Sequence, residues 1–509
     1  MSQPSYPLLF SPVKVNRMVL PNRLAALALV TRLPGEDGYL NQQTRDRYLR
    51  YARGEVGLIV VEATAVHAAK SGNLLRMHGD EFIPAHRDMV ARVHDTSPSK
   101  IALQIIHFLK IARSGWRQTI EMLTMDDIQS IIRAYGSAAA RTREAGYDAV
   151  ELHMAHAYTL ASFLSTRNAR RDEYGGWSLE TRMRLASEVI VEARRQAGAD
   201  YPIGVRFVGE EFIKGGYTLS DSTYIALRMA QLDVDYLSIS AGGKFEDAVK
   251  FEGKPLDPYT GYSGDRTMPP SSYPRGVNMY LAEGIKKHIN AHGYHTPVMA
   301  AGRITTAAMA EEILEGGRAD LIGLGRPLLT DPDWPKKTRD GHEDKVVQCV
   351  YANLCKQMEE NYIPVRCGAL WPKGYLHAPE VHDDAEPPRW PTDGKLRAEV
   401  KESGRVRLTW EKAIDERGMY GYELFRSVNG GPFSHVTSHK ATATVSVDDD
   451  ALAGNRYGYF VRPFDLAGNR GPDSNVVEVT IARKFEGVPD KKIVLDGNVE
   501  AQTGGHRLL

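Results

Sequence analysis

The segment Glu151-Leu152-His153-Met154-Ala155-His156-Ala157-Tyr158 places two imidazoles and a phenol close together in the chain. These are the side chains that hold or move a proton near neutral pH. If the chain turns helically there, positions three apart share a side, and both imidazoles face one substrate oxygen. Two N–H donors at that oxygen would polarise a carbonyl and stabilise the negative charge that develops as a hydride arrives. Tyr158 would then protonate the neighbouring carbon. The spacing alone also suits a metal pair or two ordinary loop histidines.

A second set of residues could hold an anion. Pro297-Val298-Met299-Ala300-Ala301-Gly302-Arg303-Ile304 and Ala319-Asp320-Leu321-Ile322-Gly323-Leu324-Gly325-Arg326-Pro327 each run from an apolar stretch into a glycine turn. Gly302 and Gly325 let backbone amides approach a phosphate closely, with Arg303 and Arg326 beside them.

Both sets need a scaffold. Between about residues 20 and 330, short apolar runs alternate with longer amphipathic stretches. The runs Leu24–Val30, Gly57–Glu62, Ile101–Ile106, Ala149–Leu152, Ile203–Phe207, Tyr236–Ser240, Val298–Ala301 and Leu321–Leu324 read as strands buried on both faces. Met125–Ala145, Leu179–Ala197 and Ala307–Glu315 read as the crossover helices between them. Eight strands with crossovers allow a doubly wound sheet or a closed α/β barrel, and the count fits a (β/α)8 barrel better. The histidines then follow the fourth strand, at the C-terminal mouth where barrels carry chemistry, and the glycine turns follow the seventh and eighth.

The texture changes near residue 376. A proline-rich, acidic stretch at 376–392 reads as a linker. Beyond it, Val406–Trp410, Gly421–Ser427, Ala443–Val447, Gly458–Pro463 and Val476–Ile481 alternate like strands, separated by turns such as Asn429-Gly430-Gly431. The expected organisation is a barrel at 1–375, a linker at 376–392, an immunoglobulin-like all-β sandwich at 393–482 and a tail at 483–509. Trp410 is the expected core indole, with Tyr457 or Tyr459 as a tyrosine corner. Asp448-Asp449-Asp450 reads as a solvated turn.

Composition narrows the function. Lys plus Arg equals Asp plus Glu, at 64 each, so no bulk charge draws the chain to nucleic acid. No apolar run reaches membrane-spanning length. The three cysteines, Cys349, Cys355 and Cys367, suit a reducing compartment better than a disulfide framework. The expectation is a cytoplasmic protein acting on a small molecule, with no membrane or nucleic-acid partner.

The pattern His-x-Ala-His-x-Tyr, followed by Ser162-Phe163-Leu164-Ser165 and Arg171-Asp172-Glu173-Tyr174-Gly175-Gly176, resembles the old yellow enzymes. Leu9-Phe10-Ser11-Pro12-Val13-Lys14, Pro21-Asn22-Arg23-Leu24 and Gly57-Leu58-Ile59-Val60-Val61-Glu62-Ala63-Thr64 agree with that resemblance. It implies FMN as cofactor, NADH or NADPH as reductant, and ping-pong reduction of an activated C=C bond. It also implies roles for residues. Leu27, Ala28 and Ala63 would touch the flavin, Gln104 would bond its pyrimidine ring, and Arg206 would sit near N1 and the C2 oxygen. Gly302, Arg303, Gly325 and Arg326 would hold the phosphate, while His153, His156 and Tyr158 would act on substrate.

Several residues depart from the family pattern. Leu27-Ala28-Leu29-Val30 puts Val30 where relatives carry Thr or Cys, so no side-chain donor reaches the flavin C4 oxygen there. Phe108-Leu109-Lys110 precedes a shortened loop, which implies a more open pocket. The cysteines resemble the iron–sulfur segment of the dienoyl-CoA reductase and trimethylamine dehydrogenase branch, but Ala352 stands in place of a ligand. No metal is therefore expected. The C-terminal module resembles fibronectin type III, and implies a surface for a second copy, another protein or the barrel edge.

Overall fold

The computed structural model describes residues 6–69, 72–110, 118–213, 215–242, 265–371, 375–377, 384–401 and 404–482. The expected tail at 483–509 and most of the shortened loop after Lys110 lie outside them.

A hairpin of β1 (Val13–Val15) and β2 (Met18–Leu20) comes first. The strands β3 (Leu24–Ala26), β4 (Leu58–Ala65), β5 (Lys100–Ile106), β6 (Ala149–Met154), β7 (Ile203–Val208), β8 (Tyr236–Ser240), β9 (Val298–Ala301) and β10 (Leu321–Leu324) then pair in parallel. They close into a barrel, with β10 returning to β3.

Alternation along each strand sorts side chains into two cores. Ala25, Leu58, Val60, Ala102, Ala149, Tyr236, Met299 and Leu321 fill the barrel interior, and Val15, Met18 and Leu20 of the hairpin join this cluster. The intervening residues, among them Ile59, Val61, Ile101, Leu103, Val150 and Leu152, belong to the larger outer core with the helices. Long amphipathic helices supply that layer, notably α1 (Gln42–Arg53), α2 (Ile83–Thr96), α3 (Met125–Glu144), α5 (Leu179–Ala197), α6 (Leu219–Gln231), α7 (Met279–Ala291) and α8 (Ala307–Glu315). The short α4 (Thr159–Leu164) follows β6. Helix starts are encoded locally. Thr124 and Asp127 form a capping box on α3, and Ser178 with Thr181 does the same on α5.

Two strands differ most from expectation. The first ends at Ala26 instead of Val30, because the segment beyond it leaves the ladder. Leu27 still donates to the carbonyl of Leu324 at 3.1 Å, and further on Glu62 takes the Thr31 amide at 2.9 Å and its hydroxyl at 2.6 Å. The second strand runs to Ala65 and slips register against β5 between Val61 and Thr64. This bulge breaks the alternation, so that Ala63, not Glu62, lines the mouth.

After β10 come α9 (Arg326–Thr330), α10 (Trp334–Arg339) and α11 (Leu354–Glu360). The C-terminal module has two antiparallel sheets, as the sandwich reading expects. β11 (Arg397–Val400), β12 (Val406–Thr409) and β15 (Val445–Asp448) form one. β13 (Met419–Val428), β14 (Ser434–Lys440), β16 (Arg456–Asp465) and β17 (Val477–Thr480) form the other, in the order β14-β13-β16-β17. Trp410 is buried in their shared core beside Tyr422, and the Leu452 amide donates to the Tyr457 hydroxyl at 2.7 Å, as a tyrosine corner would. Asp448 is not solvated. It is buried, and accepts from Arg426 at 2.8 Å and from the Tyr459 hydroxyl at 2.8 Å. Leu329, Val347, Leu370 and Trp371 pack with Tyr420 and Phe464 of the sandwich into one apolar cluster. No described helix is long and apolar enough to cross a membrane.

Candidate active site

The pocket at the C-terminal mouth of the barrel is lined by every residue that the sequence nominates. Gln104 on β5 and Arg206 on β7 form the floor. Leu27, Ala28, Leu29 and Val30 form one wall after β3, and Ala63 adds to it. His153 closes the inward row of β6.

The expected helical turn after His153 is absent. His156 and Ala157 adopt left-handed backbone, with φ of 59° and 58°. Sharp reversal, not helical spacing, returns His156 to the same wall. The His153 ring lies 5.0 Å from that of His156 and 5.3 Å from that of Tyr158, both edge-on. The structure thus brings the three groups together by a different route.

Hydrogen bonds suggest the tautomers. The Ala155 amide donates to His153 Nδ1 at 3.3 Å, which assigns the proton to His153 Nε2 as a donor. His156 Nε2 lies 2.6 Å from Ser240 Oγ. Burial, reinforced by the charge of Arg206, pushes the His153 imidazole down to about 3. Burial, then His153 and Arg206, holds His156 well below the ordinary range. Both rings are therefore neutral donors at neutral pH. Nitrogen NMR of His153 should show one fixed tautomer from about pH 8 to 5, whereas a free imidazole would titrate near 6.5. A midpoint inside that interval would refute this electrostatic account.

Arg206 lies below them, its Nη1 donating to Ser238 Oγ at 2.9 Å. Its Nε is buried with no hydrogen-bond partner among the described residues, as is Oδ1 of Asn278. Gly302 has φ +119°, and a Cβ there would fall 2.9 Å from Asn278. Orphaned polar atoms and a glycine cradle in a mostly apolar slot fit a planar, polar-edged cofactor with an anionic tail.

Arg303 and Arg326, the expected phosphate-side cations, line the pocket and also have protein partners. Their guanidinium groups lie 4.8 and 4.7 Å from the ring centre of Tyr351. Arg303 donates to the carbonyls of Pro270, Ser271 and Tyr273, and Arg326 to those of Pro269 and the Asn353 side chain. They brace the glycine turns and bring positive charge near the pocket. Sequence reading missed Ser240, Asn278 and Tyr351. Ser240 ends a strand already drawn and could have been found from inward alternation, whereas Tyr351 lies far along the chain with no motif.

Cys355 also lines this pocket, and with Cys349, Cys367 and Ala352 it surrounds a small adjoining cavity. Burial raises all three thiols, Cys355 to about 12. Thr330 donates to Cys367 Sγ at 3.4 Å. Three cysteines and the methyl of Ala352 around this cavity cannot supply the four thiolates of a four-cysteine iron–sulfur site. The native protein should react slowly with a thiol reagent, titrate fully after denaturation and carry no acid-labile sulfide. Stoichiometric iron and sulfide after anaerobic purification would overturn this.

Fold and site together define a flavin-binding (β/α)8 barrel. Residues 8–345 match the model of the NADH:flavin oxidoreductase / NADH oxidase family, and the chain belongs to that family, whose flavin is FMN. It is 34% identical over 370 residues to an NADH oxidase of Thermoanaerobacter brockii, a match spanning 69% of this chain and 53% of that one. The chain thus spans about half the length of that relative. An NADPH dehydrogenase of Geobacillus sp. (strain WCH70) is 33% identical over 346 residues, covering 64% of this chain and 92% of its own. The old yellow enzyme homologue from Zymomonas mobilis superposes with TM-score 0.55 at 22% identity, covering 73% of this chain and 99% of its own, a likeness of fold.

Proposed function

We propose that this protein uses NADH or NADPH to reduce a C=C bond conjugated to a carbonyl or similar electron-withdrawing group. The observation that carries the reading is the grouping of His153, His156 and Tyr158 on one wall above Gln104 and Arg206. Bound FMN supplies the two-electron, hydride-level chemistry. His153 and His156 hold the substrate oxygen with neutral N–H groups, whose effect grows as negative charge collects there. Tyr158 delivers a proton to the carbon next to the carbonyl. Gln104 would hold the pyrimidine edge of the flavin, and Arg206 would place positive charge beside it. Leu27, Ala28 and Ala63 pack on the ring, and the turns at Gly302 and Gly325, braced by Arg303 and Arg326, receive the phosphate. One pocket serving nicotinamide and oxidised substrate in turn predicts ping-pong kinetics.

The test is anaerobic. The purified protein, its released flavin identified by chromatography as FMN, should bleach with NADH or NADPH and recover colour with an α,β-unsaturated ketone. Bleaching by an amine but not by either nicotinamide would favour an amine dehydrogenase instead. Colour that does not return with the enone would refute the substrate class.

A further inference from the structure

Below the pocket the barrel interior is not wholly apolar. Glu151 lies two residues before His153 on β6, on the same inward face, and is 1% exposed. Its lateral neighbours are Gln104 on β5 and Gly204 on β7. Gly204 is needed there, since a Cβ would fall 2.0 Å from Cζ of the Tyr236 ring. Gln104 Nε2 donates to Glu151 Oε1 at 2.6 Å. Burial pushes the Glu151 carboxyl up, while the Arg206 charge and the Gln104 hydrogen bond pull it back.

A carboxylate can only accept, so it selects the NH2 end of a neighbouring amide. We propose that Glu151 is a positioning residue, which takes a hydrogen of Gln104 Nε2 and so turns Gln104 Oε1 toward the pocket. The barrel floor then offers an acceptor, Gln104 Oε1, near the donors of Arg206. An imide edge, with N–H flanked by carbonyl oxygens, is the chemical complement of that pattern, and the pyrimidine ring of a flavin has one. The proposal rests on the flavin reading above. It assigns Glu151 no contact with flavin or substrate, only control over which atom of Gln104 meets the flavin N3–H.

The experiment is a double-mutant cycle on FMN binding, read by quenching of flavin fluorescence as apoprotein is added. Glu151→Gln keeps the volume but no longer distinguishes the two ends of the Gln104 amide. It should raise the FMN Kd about tenfold, as should Gln104→Ala, while the double variant should bind no more weakly than Gln104→Ala alone. FMN labelled with nitrogen-15 at N3 gives a second readout. Its N3 resonance should report a hydrogen bond in the wild type and lose it in Glu151→Gln. Glu151→Asp, which keeps the charge but withdraws the acceptor, should reproduce the loss and carries the test if Glu151→Gln does not fold. An equal loss from Glu151→Gln in the Gln104→Ala background would overturn the proposal, as would a single-variant Kd within about twofold of wild type. Failure of wild-type apoprotein to bind FMN would overturn the flavin reading itself, and this proposal with it.

Discussion

Replacing His153 and His156 together by alanine is expected to slow enone reduction a hundredfold or more while leaving reduction by the nicotinamide much less affected. The two rings sit 5.0 Å apart on one wall of the pocket and are held neutral by burial and Arg206. Each can therefore offer an N–H dipole, and neither adds a net charge. Removing one such donor from a site of developing charge costs about 2.7–4 kcal/mol. The two losses will not add, because both donors serve one oxygen. The nicotinamide half-reaction develops no charge at that oxygen, so the two half-reactions should separate in stopped-flow measurements. Phenols, which resemble an enolate oxygen, should lose tight binding in parallel. Equal loss in both half-reactions would mean that the histidines only shape the pocket.

Trp371→Ala should destabilise the whole chain by about 3–5 kcal/mol, the usual cost of deleting a buried indole. Trp371 is 2% exposed and packs with Leu329, Leu370, Tyr420 and Phe464, so its loss opens a cavity where barrel meets sandwich. Its Nε1 donates to the Thr330 carbonyl at 3.0 Å, an oxygen that the Tyr420 hydroxyl also reaches at 3.3 Å. With the indole gone, the sandwich loses apolar contact with the barrel, while Arg470 still donates to the Val346 carbonyl at 3.0 Å. Denaturant unfolding, followed by far-ultraviolet dichroism and by tryptophan emission, should change from coincident curves to separate ones. A loss below about 1 kcal/mol with coincident curves would show that this contact couples nothing.

The barrel was legible because its strands are buried on both faces, so each announces itself as an apolar run. Tyr236–Ser240, Val298–Ala301 and Leu321–Leu324 agree with the observed bounds residue for residue. Exposed strands were harder. Arg397–Val400 is mostly exposed and Ser434–Lys440 carries polar residues on both faces, and neither was anticipated. The site was legible as a set of residues but not as a geometry. The left-handed turn at His156 and the bulge before Thr64 depend on long-range packing, which no local pattern of Ala, His and Thr specifies. Bracing of Arg303 and Arg326 by Tyr351 was invisible for the same reason.

Closure of the barrel has a consequence for how the chain is made. Ile322 of β10 pairs with Leu24 of β3, so the first strand waits for a partner roughly 300 residues away in sequence. At about 5–20 residues per second, a ribosome needs on the order of tens of seconds to deliver that partner. During that interval β3 can pair with β4 on one side only, and its other side is an open parallel edge of Leu24, Ala25 and Ala26. An edge of three residues is a poor template for pairing with another chain. The shortness of the first strand thus guards the nascent polypeptide against aggregation until the last strand arrives.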